Sequence, residues 1–294
     1  MDFVGQRHWF FLISFLVIVP GIVFLAIAPG LKPGIDFTGG STTAIEFQAE
    51  VDQADLREEL TQAGHPDSIV QKLEERTFFI RTKELSEEAK DTLVSALEKS
   101  LSPDGVIVLS FDLVSPVVAS ETVVSAIWAI LAAAVGIFLY VWWAFRNVPS
   151  PFHYGAAAIV ALLHDTMVVV GIFAILGVVA DIEVNTMFLI ALLTVIGYSV
   201  NDTIVVFDRL RENVLLYPNR TLAANANLSI SETIGRSLNT SLTLLFTLMA
   251  LLLFGGPTIR VFLWVLLIGV IAGTYSSIGI ATNLLVAWEA GSIG

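Results

Sequence analysis

IGYSVNDTIVVFDRLREN, residues 196 to 213, begins inside an apolar run and sets Asn201, Asp202 and Thr203 side by side within it. It then leaves the apolar register through Asp208, Arg209 and Arg211. An ionised Asp near the centre of a membrane helix costs about 2.5–3.5 kcal/mol on insertion scales, and such residues usually face the interior of a helix bundle. The stretch therefore reads as the end of a transmembrane helix whose polar residues face other protein. It predicts a polytopic bundle.

Composition points the same way. Of 294 residues, 55% are hydrophobic and 14% charged, with a mean hydropathy of +0.80. Six apolar runs, near 9–28, 122–145, 153–177, 185–207, 233–254 and 259–288, each reach the roughly 20 helical residues that cross a bilayer. The last is long enough to tilt. The first carries Ala26-Ile27-Ala28, which mimics a signal cleavage site. Its length of about 19 apolar residues exceeds a usual signal core, and Pro29 would follow the cut, so it reads as a retained anchor.

The net charge of −12 is unevenly spread: 18 of the 27 acidic residues lie between Asp36 and Glu121. Residues 29–121 thus read as a soluble acidic domain. It stands between 1–28, the N-terminal tip and first span, and 122–294, five further spans with a cytoplasmic loop at about 208–231. The acidity argues against nucleic acid as a partner. Without cysteine there is no disulfide, thiolate nucleophile or Cys-based metal site. Four His without HExxH spacing make a zinc site unexpected. No catalytic residue, metal or cofactor is expected.

Basic residues set the orientation. Arg7 precedes the first span, Arg146 follows the second, and Arg209, Arg211 and Arg220 lie between the fourth and fifth. The loop 178–184 carries Asp181 and Glu183 and no basic residue, and Arg260 is the one dissenting charge. Both termini are expected in the cytoplasm and the acidic domain outside. That domain reads strand (41–47), helix (51–64), strands (68–74 and 77–83), helix (86–101), strand (105–115). The order is the ferredoxin-like split βαβ pattern.

Three polar features sit in the spans. His164 and Asp165 lie midway along the third, in LLHDTMVVVG. Asp202 lies in the cytoplasmic third of the fourth, one turn after Tyr198. In the fifth, Glu232, Arg236, Asn239, Thr240, Thr243 and Thr247 recur at helical spacing and draw one polar stripe. SISE (229–232) resembles a capping box that starts this helix just before Arg236. Either these groups hydrogen-bond helices together, or Asp202 and Arg236, at similar depth, form a proton switch. Burial and a cation move an Asp in opposite directions, so a small motion changes its proton occupancy. A static ion pair that fixes packing is the alternative.

Gly269, Gly273, Ser277 and Ala281 repeat every four residues along the sixth span and permit close helix approach, within the chain rather than between two copies. GIDFTGG (34–40) follows the first span, with Gly34, Gly39 and Gly40 suited to a turn before the first strand. No GxxxxGK[ST] phosphate loop exists.

GIDFTGG, LLHD (162–165), GYSVNDTIVVFDRLRE (197–212), RSLNTSLTLL (236–245) and GTYSSI (273–278), in that order, resemble the SecF side of the SecD/SecF family of bacterial protein-export membrane subunits, within the RND superfamily. The resemblance covers essentially the whole chain. It implies half of an RND-type transporter, paired about a pseudo-two-fold axis with a SecD half in the bacterial plasma (inner) membrane. It implies association with the SecYEG translocon and YajC, unfolded preprotein as the outer partner, and protons as the coupling ion. Asp202 and Arg236 fall on the family's proton-pathway positions, with Asn201, Thr203 and the other membrane polar residues in support. Asn201 sits where the SecD half carries its own Asp.

A proton crossing the membrane supplies about 2.3 kcal/mol per 100 mV. Reversing a two-state element from 1:99 to 99:1 takes about 5.5 kcal/mol. More than one proton per cycle is therefore expected. Two other classes remain open at this stage: an RND exporter half for small molecules or lipids, and an intramembrane aspartyl protease built on Asp165 and Asp202.

Overall fold

The computed structural model describes residues 2–27, 30–73, 75–256, 259–289 and 291. Of the cleavage-like site, Ala28 and Pro29 lie outside the described residues. The chain divides into two compact units, 33–126 and the remainder, 1–32 with 127–294.

In the smaller unit a two-residue strand, β1 (Lys32–Pro33), leads to one helical turn, α2 (Ile35–Thr38). Then come β2 (Gly40–Phe47), α3 (Gln53–Gln62), β3 (Ile69–Lys72), β4 (Thr77–Thr82), α4 (Glu87–Leu101) and β5 (Val106–Val114). Each helix starts where a side chain satisfies a free backbone N–H. The Asp52 carboxylate accepts from Ala54 N, and the Ser86 hydroxyl accepts from Ala89 N ahead of Glu87 and Glu88. The sheet order is β3-β4-β2-β5 with every neighbour antiparallel. Counting these four strands along the chain, that order is 2-3-1-4, the split βαβ arrangement read from the sequence. Ile45, Phe47, Leu56, Leu60, Phe78, Ile80 and Leu97 are buried in one core, with Phe47 edge-on to Phe78 at 5.7 Å between centroids.

β5 is an edge strand. Its pairing with β2 slips by one residue at a bulge, leaving Leu109 without a partner across the ladder. Ile107, Val108, Leu109 and Leu113 are exposed along it.

The glycine pair in GIDFTGG ends α2 and opens β2. Gly39 has φ +75° and Gly40 φ +120°, backbone that L side chains rarely adopt. A Cβ on Gly40 would also lie 2.8 Å from the Thr82 carbonyl oxygen, and one on Gly39 3.0 Å from Pro116 Cα. Gly40→Ala is therefore expected to destabilise the outer domain by on the order of 3 kcal/mol. Chemical denaturation of the isolated domain measures it directly. An unchanged midpoint would refute the requirement.

The larger unit holds α1 (Arg7–Ala26), most of α5 (Pro116–Ala144), α6 (Pro151–Val179), the short β6 (Glu183–Val184), α7 (Thr186–Leu216) and α8 (Leu222–Phe254). The last span is α9 (Arg260–Ser276), a π turn (Ser277–Ala281) and α10 (Thr282–Glu289). Six helices among the described residues are long and apolar enough to cross a membrane. The spans of α6, α7 and α9–α10 are half-buried and form the centre, whereas α5 and α8 lie mostly exposed.

Close approach is built from glycine. A Cβ on Gly21 of α1 would stand 2.5 Å from Gly171 Cα of α6, so these helices meet backbone to backbone. Gly269 of α9 faces Val195 of α7, and Gly273 faces Ser199. The small-residue repeat thus packs within the chain. At the π turn the loosened carbonyls of Ser277 and Ile278 accept from Thr282 Oγ1 and Asn283 Nδ2.

Two local expectations are corrected. The loop expected at about 208–231 is mostly helix: α7 runs to Leu216 and α8 starts at Leu222. Arg209 pairs with Glu212 and with Glu232, and Asn213 bonds Ser229 and Glu232, so the charges leave the apolar register without leaving the helix. SISE is therefore no cap. Ser229 is buried inside α8 and donates to the Asn225 carbonyl, while the N-cap is Thr221, whose hydroxyl accepts from Ala224 N.

Candidate functional site

Asp202 sits on the buried face of α7, 7% exposed. Ser237 of α8 donates to its Oδ1 at 2.6 Å. Its Oδ2 is buried and has no hydrogen-bond partner among the described residues. Beside it, Thr203 Oγ1 and Ser277 Oγ pair at 2.9 Å, linking α7 to the π turn. One turn earlier, Tyr198 OH bonds Ser241, which bonds Thr274 of α9. A polar seam thus joins α7, α8 and the last span.

Arg236 is not in direct contact with Asp202. Among the described residues it makes no ion pair, and its side chain is exposed. Its charge still acts on Asp202 through space. The reason is angular: successive residues on a helix turn about 100° apart, so Ser237 faces α7 while Arg236 points past its edge. The rest of the stripe follows Arg236. Asn239, Thr240, Thr243 and Thr247 are all exposed. The three threonines donate to carbonyls of their own helix. Asn201 is exposed too, while Thr203 is buried. Glu232, at the stripe's end, belongs instead to the Arg209 and Asn213 cluster.

His164 and Asp165 form a second, separate cluster. Asp165 is 1% exposed and both its oxygens are engaged. Oδ1 bonds His164 Nδ1 at 2.9 Å, and Oδ2 accepts from Ser199 of α7 and from Ser276 of α9 at 2.7 Å. The two carboxylates therefore differ in kind. Asp165 is saturated with donors, and Asp202 keeps one oxygen bare. An orphaned buried polar atom is costly and uncommon, and in Asp202 it marks the place where a proton fits.

Ser237, Ser199, Ser276, Ser14 and Tyr275 were not singled out from the sequence. All but Ser14 stand inside the quoted motifs, next to residues that were. No group of three His, Cys, Asp or Glu among the described residues is placed to hold a metal ion.

Fold and site together define a six-span membrane bundle of transporter type, with a small outer α+β unit and a buried carboxylate at a polar seam. Residues 93–291 match the family described as protein export membrane protein SecD/SecF, C-terminal, and residues 24–51 match its GG motif. The protein translocase subunit SecF of Thermobaculum terrenum is 44% identical over 98% of this chain and 94% of its own length. That of Anaerolinea thermophila is 40% identical over 99% and 95%. The chain belongs to the SecF family.

Among solved structures, a SecDF from Thermus thermophilus, described as a translocon-associated membrane protein, superposes with a TM-score of 0.87 at 33% identity. A SecDF in its super-membrane-facing form gives 0.71 at 32%. Each match covers 99% of this chain and 39% of the longer one, so this chain spans well under half of those SecDF chains.

Proposed function

We propose that this chain is the SecF half of a SecD–SecF pair in the bacterial plasma membrane, passing protons at Asp202 and Arg236 to assist late protein translocation through the SecYEG channel. The stripe on α8 carries the reading. Arg236, Asn239, Thr240, Thr243 and Thr247 point away from the chain's own bundle at membrane depth. Against lipid a cation there costs about 2.5–3.5 kcal/mol, and such groups face protein or a watered cavity instead. A second bundle with its own acidic residue meets that need, and the neighbouring SecDF chains are long enough to contain one. Asp202, with its bare oxygen beside this face, is then the proton carrier. SecYEG and YajC as further partners rest on family resemblance.

A small-molecule or lipid exporter half shares the bundle, but the similar proteins are named as translocase subunits. A protease dyad needs two carboxylates sharing a proton. Asp165 and Asp202 are instead held by different serines on different helices. The exposed edge of β5 offers unpaired backbone to an extended polypeptide, which fits weak, sequence-independent contact with unfolded preprotein outside the membrane.

Co-purification with a SecD, followed by reconstituted export with and without a proton gradient, tests the reading. A chain that drives solute efflux with no SecD present would overturn it. The orientation has its own test. Reporter fusions at Gly64 and Asn219 are expected on opposite sides of the membrane, Asn219 in the cytoplasm. The same side for both refutes the six-span topology.

A further inference from the structure

The His164 cluster has a property that holding helices together does not require. Its bonds form one line across three helices. Asp165 Oδ1 meets His164 Nδ1, His164 Nε2 meets Ser14 Oγ of α1 at 2.9 Å, and Ser14 Oγ meets Tyr275 OH of α9 at 3.2 Å. Tyr275 then donates its hydrogen to the Phe10 carbonyl at 2.6 Å. His164 is 8% exposed, and its ring lies near-parallel to that of Tyr275.

With a neutral imidazole, Nδ1–H donates to Asp165 and Nε2 accepts the Ser14 hydroxyl. With an imidazolium, Nε2–H donates to Ser14 Oγ, the Ser14 hydrogen turns to the Tyr275 oxygen, and the Tyr275 hydrogen stays on Phe10. One hydroxyl rotates, no heavy atom moves, and no donor is orphaned in either state. The line ends on an oxygen that is free to accept in one state and occupied in the other. The positive charge meets the Asp165 carboxylate.

We propose that His164 is a second proton-binding site in this chain, with Asp165 as its counter-charge and the Ser14 hydroxyl as the element that reads its state. Ser14 lies on α1, Tyr275 on α9 and Ser199, bonded to Asp165, on α7. Among the described residues bonded into the cluster from these helices, Asp165 and Tyr275 are the titratable ones. Asp202, three residues from Ser199 on α7, is bonded to Ser237 instead. A cavity of about 340 Å³ bordered by Ser14, His164 and Tyr275 leaves the α1 side of the cluster room to repack. As a coupling site it rests on the proton-driven reading above, and as a titrating site it stands on its own geometry.

The test is histidine-ring NMR on the full chain in lipid nanodiscs. The chain has four histidines, and the His164 signal is identified by its loss in His164→Gln. In the wild type, His164 is expected to take up one proton reversibly between pH 5 and 8, the range in which an imidazole changes charge. Ser14→Ala removes the acceptor for Nε2–H, and Tyr275→Phe removes the acceptor for the displaced Ser14 hydrogen. Each is expected to weaken proton binding about tenfold, the size of one hydrogen bond to a charged group. A His164 ring fixed in one protonation state across that range overturns the proposal, as does a midpoint unmoved by both substitutions. Asp202→Asn leaves the His164 titration in place whether or not it abolishes coupling, so failure of the two ideas reads out separately.

Discussion

Asp202→Asn is expected to abolish export driven by a proton gradient while leaving the chain folded and bound to its partner. The side chains are nearly isosteric, and the Asn carbonyl oxygen still accepts from Ser237 where Oδ1 does now. The amide nitrogen takes the place of Oδ2, which already has no partner, so one orphaned group replaces another. What disappears is the titrating charge. Asp165→Asn is the comparison. Its Oδ1 and Oδ2 accept from three groups on three residues, and an amide nitrogen in either place meets donors it cannot serve. That change costs one to a few kcal/mol of folding free energy, so it is expected to reduce the amount of assembled complex. Arg236→Met is expected to spare the chain's own fold, because the guanidinium makes no ion pair among the described residues, and to fail in gradient-driven export. Export rate against imposed gradient in reconstituted vesicles separates the three. Wild-type gradient dependence in Asp202→Asn would reduce the carboxylate to helix glue.

Gly269→Leu is expected to destroy the bundle. A Cβ alone at this position lies 2.2 Å from Val195 Cγ2, and the remaining Leu atoms have no free space between α9 and α7. Overpacking a well-filled contact costs about 1–3 kcal/mol when neighbours give way. Here the neighbour is a buried, β-branched Val in a helix, stiff at χ1, so the two helices must separate. Separation also pulls Ser199 and Ser276 apart, and with them the Asp165 cluster. Loss exceeding about 3 kcal/mol and failure to accumulate in membranes are expected. Gly197→Leu is the control, on the same helix as Val195, where an added Cβ meets nothing within 4 Å. Fluorescence-monitored thermal unfolding of both variants in detergent compares them. Equal melting behaviour would show that the α7–α9 contact tolerates bulk.

The spans and the outer topology were legible because their signals are long and periodic. About twenty apolar residues in a row admit few structures, and each outer helix carries its own cap, Asp52 or Ser86. The end of α7 was misjudged because polarity was taken for the end of the helix. Arg209 and Asn213 satisfy Glu232 from within helical geometry, a contact 23 residues distant for the arginine that no local pattern announces. At the site, the correct helices were chosen and the wrong neighbour of Asp202. Arg236 is the conspicuous charge, yet the 100° step to Ser237 decides which side chain turns inward. The Gly21–Gly171 crossing was missed for a related reason: each glycine stands alone in its span, and only the two together make a contact.

The π turn at Ser277–Ala281 carries one more residue than an α-helical turn of the same rise holds. Deleting a single residue between Ser276 and Thr282 would regularise the helix and rotate everything after it by about 100° relative to what precedes. Leu285 and Val286, now in the core with Phe145, Tyr154 and Phe207, would swing out of it. Ser276 would keep its bond to Asp165 while Asn283 lost its two carbonyls. In this segment, then, residue count is itself a constrained quantity: substitutions that keep side chains small leave the helix working, whereas a one-codon deletion does not.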